Sequence, residues 1–196
     1  KDGEVWYNST LGLLKGYVLG TAVWTSGNAL NTKRSAAIAG TVSAGLASHG
    51  YVYPPSSPEG GSVVTEEYNG TSWTTVNNAN QARYQTSALG TQTAAVVFGG
   101  LNGTGGAGPY TMSTSFEGYD GTTWSNLTAA PTAKAGGTPM VGTSTTLAQV
   151  CGNSDGSGGP SNTVQEYASG SWSAGENYPI SVQGLAGGGI QTASVH

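Results

Sequence analysis

Four tryptophans recur along this chain at a nearly constant interval. Trp24, Trp73, Trp124 and Trp172 are separated by 49, 51 and 48 residues. Two further landmarks hold the same phase. Tyr68, Tyr119 and Tyr167 each stand five residues before a tryptophan, and a cation follows the first three tryptophans by ten residues, as Arg34, Arg83 and Lys134. The fourth copy has Val182 at that step. A repeat of about 50 residues commits the chain to a solenoid or a closed radial array, because one such unit cannot bury its apolar face alone.

Inside each copy the signals are those of short strands. Asn69-Gly70-Thr71-Ser72, Asp120-Gly121-Thr122-Thr123 and Ala168-Ser169-Gly170-Ser171 lie between each tyrosine and its tryptophan. Asn-Gly and Asp-Gly between β-rich runs are strong hairpin signals. In the second copy, residues 83–89 read as strand a and Gly90-Thr91 as a turn. Residues 93–98 read as a buried strand b ended by Gly99-Gly100. A long loop fills residues 101–110, residues 111–119 form strand c and residues 123–127 strand d. The apolar run at residues 36–47 contains Gly40, Thr41, Val42 and Gly45 and reads as strand–turn–strand, not helix. With 33 glycines and 8 prolines in 196 residues and only 8% charged residues, the chain is expected to be all-β and rich in turns.

The order of an apolar strand ended by a double glycine, then a tyrosine, a tryptophan and an arginine resembles the kelch repeat, carried here by Gly99-Gly100, Tyr119, Trp124 and Arg83. The other copies read His49-Gly50 and Cys151-Gly152 at the double-glycine step. The resemblance implies a kelch-like β-propeller of four-stranded blades. Counting suggests how it closes: 24 residues follow Trp172, and 24 lead up to and include Trp24, together one repeat. The expectation is therefore a single domain over residues 1–196, a four-bladed propeller. Its repeats cover 27–76, 77–127, 128–175, and 176–196 together with 1–26. In the last blade, strands near residues 182–186 and 190–195 pair with N-terminal strands at residues 13–17 and 22–26, so that no edge is left open.

Several chemistries are argued against. A net charge of −4 with two arginines does not suit nucleic acid, which needs clustered cations. No apolar run approaches the length of a membrane span, so no membrane insertion is expected. Cys151, among Leu147 and Val150, reads as a small buried hydrophobe and not a nucleophile. Asp120-Gly121-Thr122-Thr123-Trp124 is similar to a sialidase Asp box but lacks one residue between Asp and Gly. Galactose oxidase shares the kelch architecture and binds copper, but this chain's two histidines are His49 and the terminal His196. One carboxylate in residues 153–158 is too few for a calcium loop. No nucleophile–base or paired-carboxylate arrangement is legible. The expectation is a non-enzymatic chain with no metal and no cofactor.

Two residue classes have a structural and a functional reading. The Trp24, Trp73, Trp124 and Trp172 series, with Tyr68, Tyr119 and Tyr167, reads as inter-blade packing, the alternative being a row of sugar-stacking platforms. Trp73 and Trp124 are expected to be buried. Arg34, Arg83 and Lys134 read as partners of strand c carboxylates (Glu66, Glu67, Glu117, Glu166), the alternative being an anion-binding ring.

The loops after strand b differ entirely between copies, and divergent loops on a rigid scaffold are how binding proteins are built. Tyr51, Tyr53, Asn102, Tyr110 and Asp155 are the candidate ligand-contact residues. Glu66-Glu67-Tyr68-Asn69-Gly70-Thr71-Ser72-Trp73 and Gly90-Thr91-Gln92-Thr93-Ala94-Ala95 resemble kelch-type structural proteins of tailed phages. The opening Gly3-Glu4-Val5-Trp6-Tyr7-Asn8-Ser9-Thr10, with Gly12 and Leu14-Lys15, is similar to a hairpin of phage fibre proteins. That resemblance implies a virion protein, a tail fibre or capsid decoration. Its partners would be other virion proteins, copies of itself, or host-surface polysaccharide. The alternative is a secreted, lectin-like, carbohydrate-binding propeller of a cellular organism. No secretory signal is legible at Lys1, which fits a cytoplasmic or virion protein and equally a processed chain.

Overall fold

The structure is a computed structural model that describes residues 5–8, 13–16, 27–52, 60–102, 110–136, 138, 140–144, 146–153, 159–184, 188–190 and 193–195. All of its regular structure is strand. β1 (Val5–Asn8) and β2 (Leu13–Gly16) form an N-terminal hairpin. β3 (Arg34–Thr41), β4 (Ala44–Val52), β5 (Thr65–Tyr68) and β6 (Trp73–Val76) make the first four-stranded antiparallel sheet. The second sheet is β7 (Ser87–Thr91), β8 (Ala94–Phe98), β11 (Phe116–Tyr119) and β12 (Trp124–Asn126). A two-residue ribbon of β9 (Leu101–Asn102) and β10 (Thr111–Met112) lies between β8 and β11 in the chain. β13 (Met140–Ser144), β14 (Leu147–Cys151), β15 (Val164–Ala168) and β16 (Ser171–Ala174) make the third. β17 (Gly188–Ile190) pairs with β18 (Ala193–Val195).

The five-residue Tyr–Trp spacing is a hairpin register. Tyr68 faces Trp73, Tyr119 faces Trp124 and Tyr167 faces Trp172 across adjacent strands. Their ring centroids lie 5.0, 5.0 and 5.2 Å apart. The intervening turns are closed locally. Asn69 Oδ1 accepts from the Thr71 and Ser72 amides, and Asp120 Oδ1 does the same for Thr122 and Thr123. In the third copy Ser169 and Gly170 both have positive φ, the geometry of a tight two-residue hairpin.

The core lies between sheets. Successive side chains of a strand face opposite ways, and β8 uses both faces. Ala95 and Val97 pack with Ala39 and Leu46 of the first sheet, while Val96 and Phe98 pack with Met140, Ala148 and Val150 of the third. A strand covered on both sides reads as a continuous apolar run, which is what Ala94–Phe98 is. The first strands of successive units lie side by side: β3 beside β7, β7 beside β13, and β13 beside β17.

Two expectations are corrected, one in the second unit and one in the third. Gly90-Thr91 is strand, and the turn is Gln92-Thr93. Gly90 sits where a Cβ would come within 2.2 Å of the Ala94 carbonyl oxygen, and Gly40 and Gly142 meet the same obstacle in their own hairpins. Glycine at this step therefore marks the close crossing of the first two strands just before the turn, with a register shift after Gly142 in the third unit. The double-glycine step is also displaced in the third unit. The strand register aligns Gly45, Ala95 and Ala148 through Tyr68, Tyr119 and Tyr167. The equivalent of Gly99-Gly100 is then Gly152-Asn153, not Cys151-Gly152. Both members of each pair are left-handed: His49 and Gly50 at φ 55° and 102°, Gly99 and Gly100 at 64° and 90°, Gly152 and Asn153 at 54° and 60°. The motif is a two-residue left-handed stop at the end of the second strand, which glycine satisfies most cheaply.

The expected closure is corrected: the C-terminal strands are Gly188–Ile190 and Ala193–Val195, not 182–186 and 190–195, and they pair with each other. Residues 13–16 pair with β1, so no described N-terminal strand pairs with a described C-terminal one. The other closing strand at residues 22–26, and Trp24 itself, lie outside the described residues.

Candidate functional site

Two arrangements use the residues singled out by the repeat. The first is a buried charged joint. Arg34 and Arg83 are 8% and 0% exposed and Lys134 is 0% exposed, so none of the three is open to a channel anion. Arg34 donates to the Glu66 carboxylate and, at 2.9 Å, to the His49 carbonyl. Arg83 donates to Glu117 Oε1 at 2.7 Å and to the Gly99 carbonyl. Lys134 Nζ donates to the Gly152 carbonyl at 2.8 Å, Thr163 Oγ1 at 2.9 Å and Ser161 Oγ at 3.2 Å. In each of these three units the cation thus caps the first carbonyl of the left-handed pair. The expected carboxylate pairing holds for Arg34 and Arg83. In the third unit Gln165 occupies the step of Glu66 and Glu117, and the Gly152 carbonyl and the Ser161 and Thr163 hydroxyls accept from Lys134. Glu166, expected there, accepts from Gln149 instead.

The joint also fastens one sheet to the next. The Gly50 amide donates to the Arg83 carbonyl and the Gly100 amide to the Lys134 carbonyl. His49, fully buried in the first sheet, places Nε2 at 3.3 Å from Arg83 Nη2 and 3.6 Å from Glu117 Oε1. Its Nδ1 lies 3.1 Å from Ser48 Oγ, and its ring meets Trp124 edge-on at 5.5 Å. Burial pushes the His49 pKa below its ordinary value, and the Arg83 and Arg34 charges push the same way against Glu117. Burial would raise the Glu117 carboxyl, but His49 and Arg83 outweigh it and hold it at about 2.

The tryptophans divide. Trp124 is buried and donates Nε1 to Thr65 Oγ1 of the preceding sheet. Trp172 reaches back to Phe98 and Phe116 of the second sheet at 5.7 and 5.2 Å. Trp73, expected to be buried, is half-exposed: it rests on Tyr68 and Gly45, and its Nε1 is held by the Asn28 carbonyl. Cys151 is buried, and burial raises its thiol to about 11, far from a nucleophile's range.

The second arrangement is an open cleft of about 370 Å³ lined by Ser35, Tyr51, Tyr84, Gln85, Leu101 and Tyr110. Two of the candidate loop residues meet here. Tyr51, at the end of β4, and Tyr110, just before β10, both pack edge-on to Tyr84, at 5.5 and 6.0 Å. Asn102 lies beside Leu101 in β9, and its Oδ1 is buried without a hydrogen-bond partner. Tyr53 and Asp155 lie outside the described residues.

Sequence reasoning missed Tyr84 and Gln85. The available signal was a break in the repeat: the residue after the cation is Ser35 in the first copy and Ala135 in the third, but tyrosine in the second. Gln85 is left-handed at φ 54°. Among the described residues, no three His, Cys, Asp or Glu side chains converge as metal ligands.

No protein-family model matches the chain, and no curated protein matches it. Among solved structures it is similar to that of YjhT, with a TM-score of 0.52 and 10% identity. The similarity covers 88% of this chain and 51% of YjhT, so the chain spans about half the length of the structure it matches. At that identity the likeness concerns the fold alone, an all-β array of antiparallel four-stranded sheets.

Proposed function

We propose that this chain is a non-enzymatic adhesion or decoration domain of a phage particle. Its scaffold is a four-bladed, kelch-like propeller, and its loop face contacts a host-surface glycan or protein. The observation that carries the binding role is the Tyr51–Tyr84–Tyr110 cleft. It is assembled from residues that break the repeat, on a frame whose repeating residues are consumed by packing and buried pairing. Residues that serve stability recur in each unit, whereas residues that serve recognition need not. Four blades are supported by β17 lying beside β13 in the way β13 lies beside β7. In this reading the fourth blade is built from the two terminal hairpins, β17–β18 and β1–β2, which form separate two-stranded sheets. The virion assignment rests on the resemblance of residues 66–73, 90–95 and 3–10 to phage structural proteins.

Mass-spectrometric analysis of purified phage particles from the source sample tests the assignment. Peptides of this chain at stoichiometric abundance are expected. Their absence from particles, with recovery from a culture supernatant, would replace the virion reading with that of a secreted lectin-like protein.

A further inference from the structure

We infer that the Tyr51–Tyr84–Tyr110 cleft binds an uncharged saccharide, with one pyranose face laid on Tyr110; this rests on the reading of the chain as an adhesion domain. Tyr84 is 8% exposed and forms the floor, Tyr51 is half-buried, and Tyr110 is 44% exposed. An exposed ring backed by a buried one is a rigid platform for the C–H face of a sugar, and phenol hydroxyls serve the equatorial groups. Burial and the two neighbouring tyrosines raise the Tyr84 pKa, so its hydroxyl remains a donor at neutral pH. Ser35 and Gln85 complete the polar lining.

The charge pattern selects the ligand class. None of the six lining residues is charged. The two cations immediately next to lining residues, Arg34 and Arg83, are turned into the buried joint against Glu66 and Glu117, and exposed Lys33, two residues before Ser35, is not part of the lining. An anionic sugar would find no counterion in the cleft, on a chain of net charge −4.

Gln85 supplies an independent observation. It stands two residues after Arg83, as Gly136 stands two after Lys134, and both are left-handed, at φ 54° and 82°. The third unit meets this backbone requirement with glycine. The second keeps a glutamine there, against its conformational preference, at the rim of the cleft. Side chains held in that region against strain concentrate at binding sites.

The experiment is saturation-transfer NMR on the full chain with two sets of probes. The neutral set is the methyl glycosides of glucose, galactose and mannose together with N-acetylglucosamine. The anionic set is glucuronate and sialyllactose. Binding of at least one neutral probe at millimolar concentration is expected, weakened about tenfold by Tyr110→Ala and retained by Tyr110→Phe. Gln85→Gly relieves the backbone, so it is expected to fold while losing part of the affinity. The inference is overturned if no neutral probe binds, if the anionic probes bind more tightly, or if Tyr110→Ala leaves binding unchanged. Recovery of the chain from purified particles, scored separately, reports on the adhesion reading itself. Particles that carry the chain while every neutral probe fails would refute the ligand class alone.

Discussion

Arg83 and Glu117 meet at 2.7 Å with both side chains at most 1% exposed, and the link ties the entry of the second sheet to its third strand. His49 arrives at this pair from the first sheet. The same steps in the third unit carry Lys134 and Gln165, so the protein contains two solutions to one packing problem. Removing one partner of a buried pair strands a charge and typically costs about 3–5 kcal/mol. Glu117→Ala is expected to destabilise by that amount in urea unfolding. The double variant Arg83→Lys with Glu117→Gln copies the third unit and is expected to lose less than Glu117→Ala alone. A double variant less stable than Glu117→Ala would show that the two solutions are not interchangeable.

Acid should weaken this joint in two stages. The His49 pKa is lowered in the fold, so the unfolded chain binds a proton first, and stability falls as pH drops below about 6.5. Glu117 is held at about 2 against an ordinary 4.5. Its contribution of up to about 3 kcal/mol is present above pH 4.5 and is lost as pH falls towards 2. Melting temperature followed across this range checks both stages. His49→Asn, which tolerates the left-handed backbone, is expected to remove the upper stage and to shrink the lower one, because His49 is one of the two groups that hold Glu117 down.

Trp124→Ala is expected to cost about 3–5 kcal/mol, as large core truncations do. Trp73→Ala, at a half-exposed ring, should cost about 1–2 kcal/mol. Thermal melts of the two variants side by side test the ranking. Equal shifts would contradict the difference in burial.

Two left-handed glycines separate conformational cost from steric cost. At Gly100 (φ 90°) a Cβ would lie 2.5 Å from the Tyr84 carbonyl oxygen, whereas at Gly170 (φ 101°) nothing lies within 4 Å. Gly170→Ala should lose only the left-handed penalty of about 1–2 kcal/mol. Gly100→Ala should lose clearly more, because the segment that carries Tyr84, bridged to Leu101, must move. Denaturant midpoints measured on both variants decide this.

The repeat, the all-β class and the hairpin at each Tyr–Trp pair were legible in the sequence, because each follows from local spacing. A five-residue interval closed by Asn-Gly or Asp-Gly makes one cross-strand pair wherever it occurs. That Arg34 and Arg83 pair with strand c carboxylates followed from charge and phase; which carboxylate each takes, Glu66 and Glu117, is set by the register. Other features depend on how one sheet lies on the next. The displacement of the left-handed pair to Gly152-Asn153 depends on strand register, and the half-exposure of Trp73 on what covers its sheet. His49 meets Glu117 across 68 positions of chain because two twisted sheets bring their third dimension to bear. Tyr51, Tyr84 and Tyr110 share no spacing and no phase. Only the seam between the first two sheets, with Leu101 bridged to Tyr84, makes one cleft of them. Periodic contacts leave a trace in a one-dimensional pattern, and contacts that arise once, at a boundary between units, leave none.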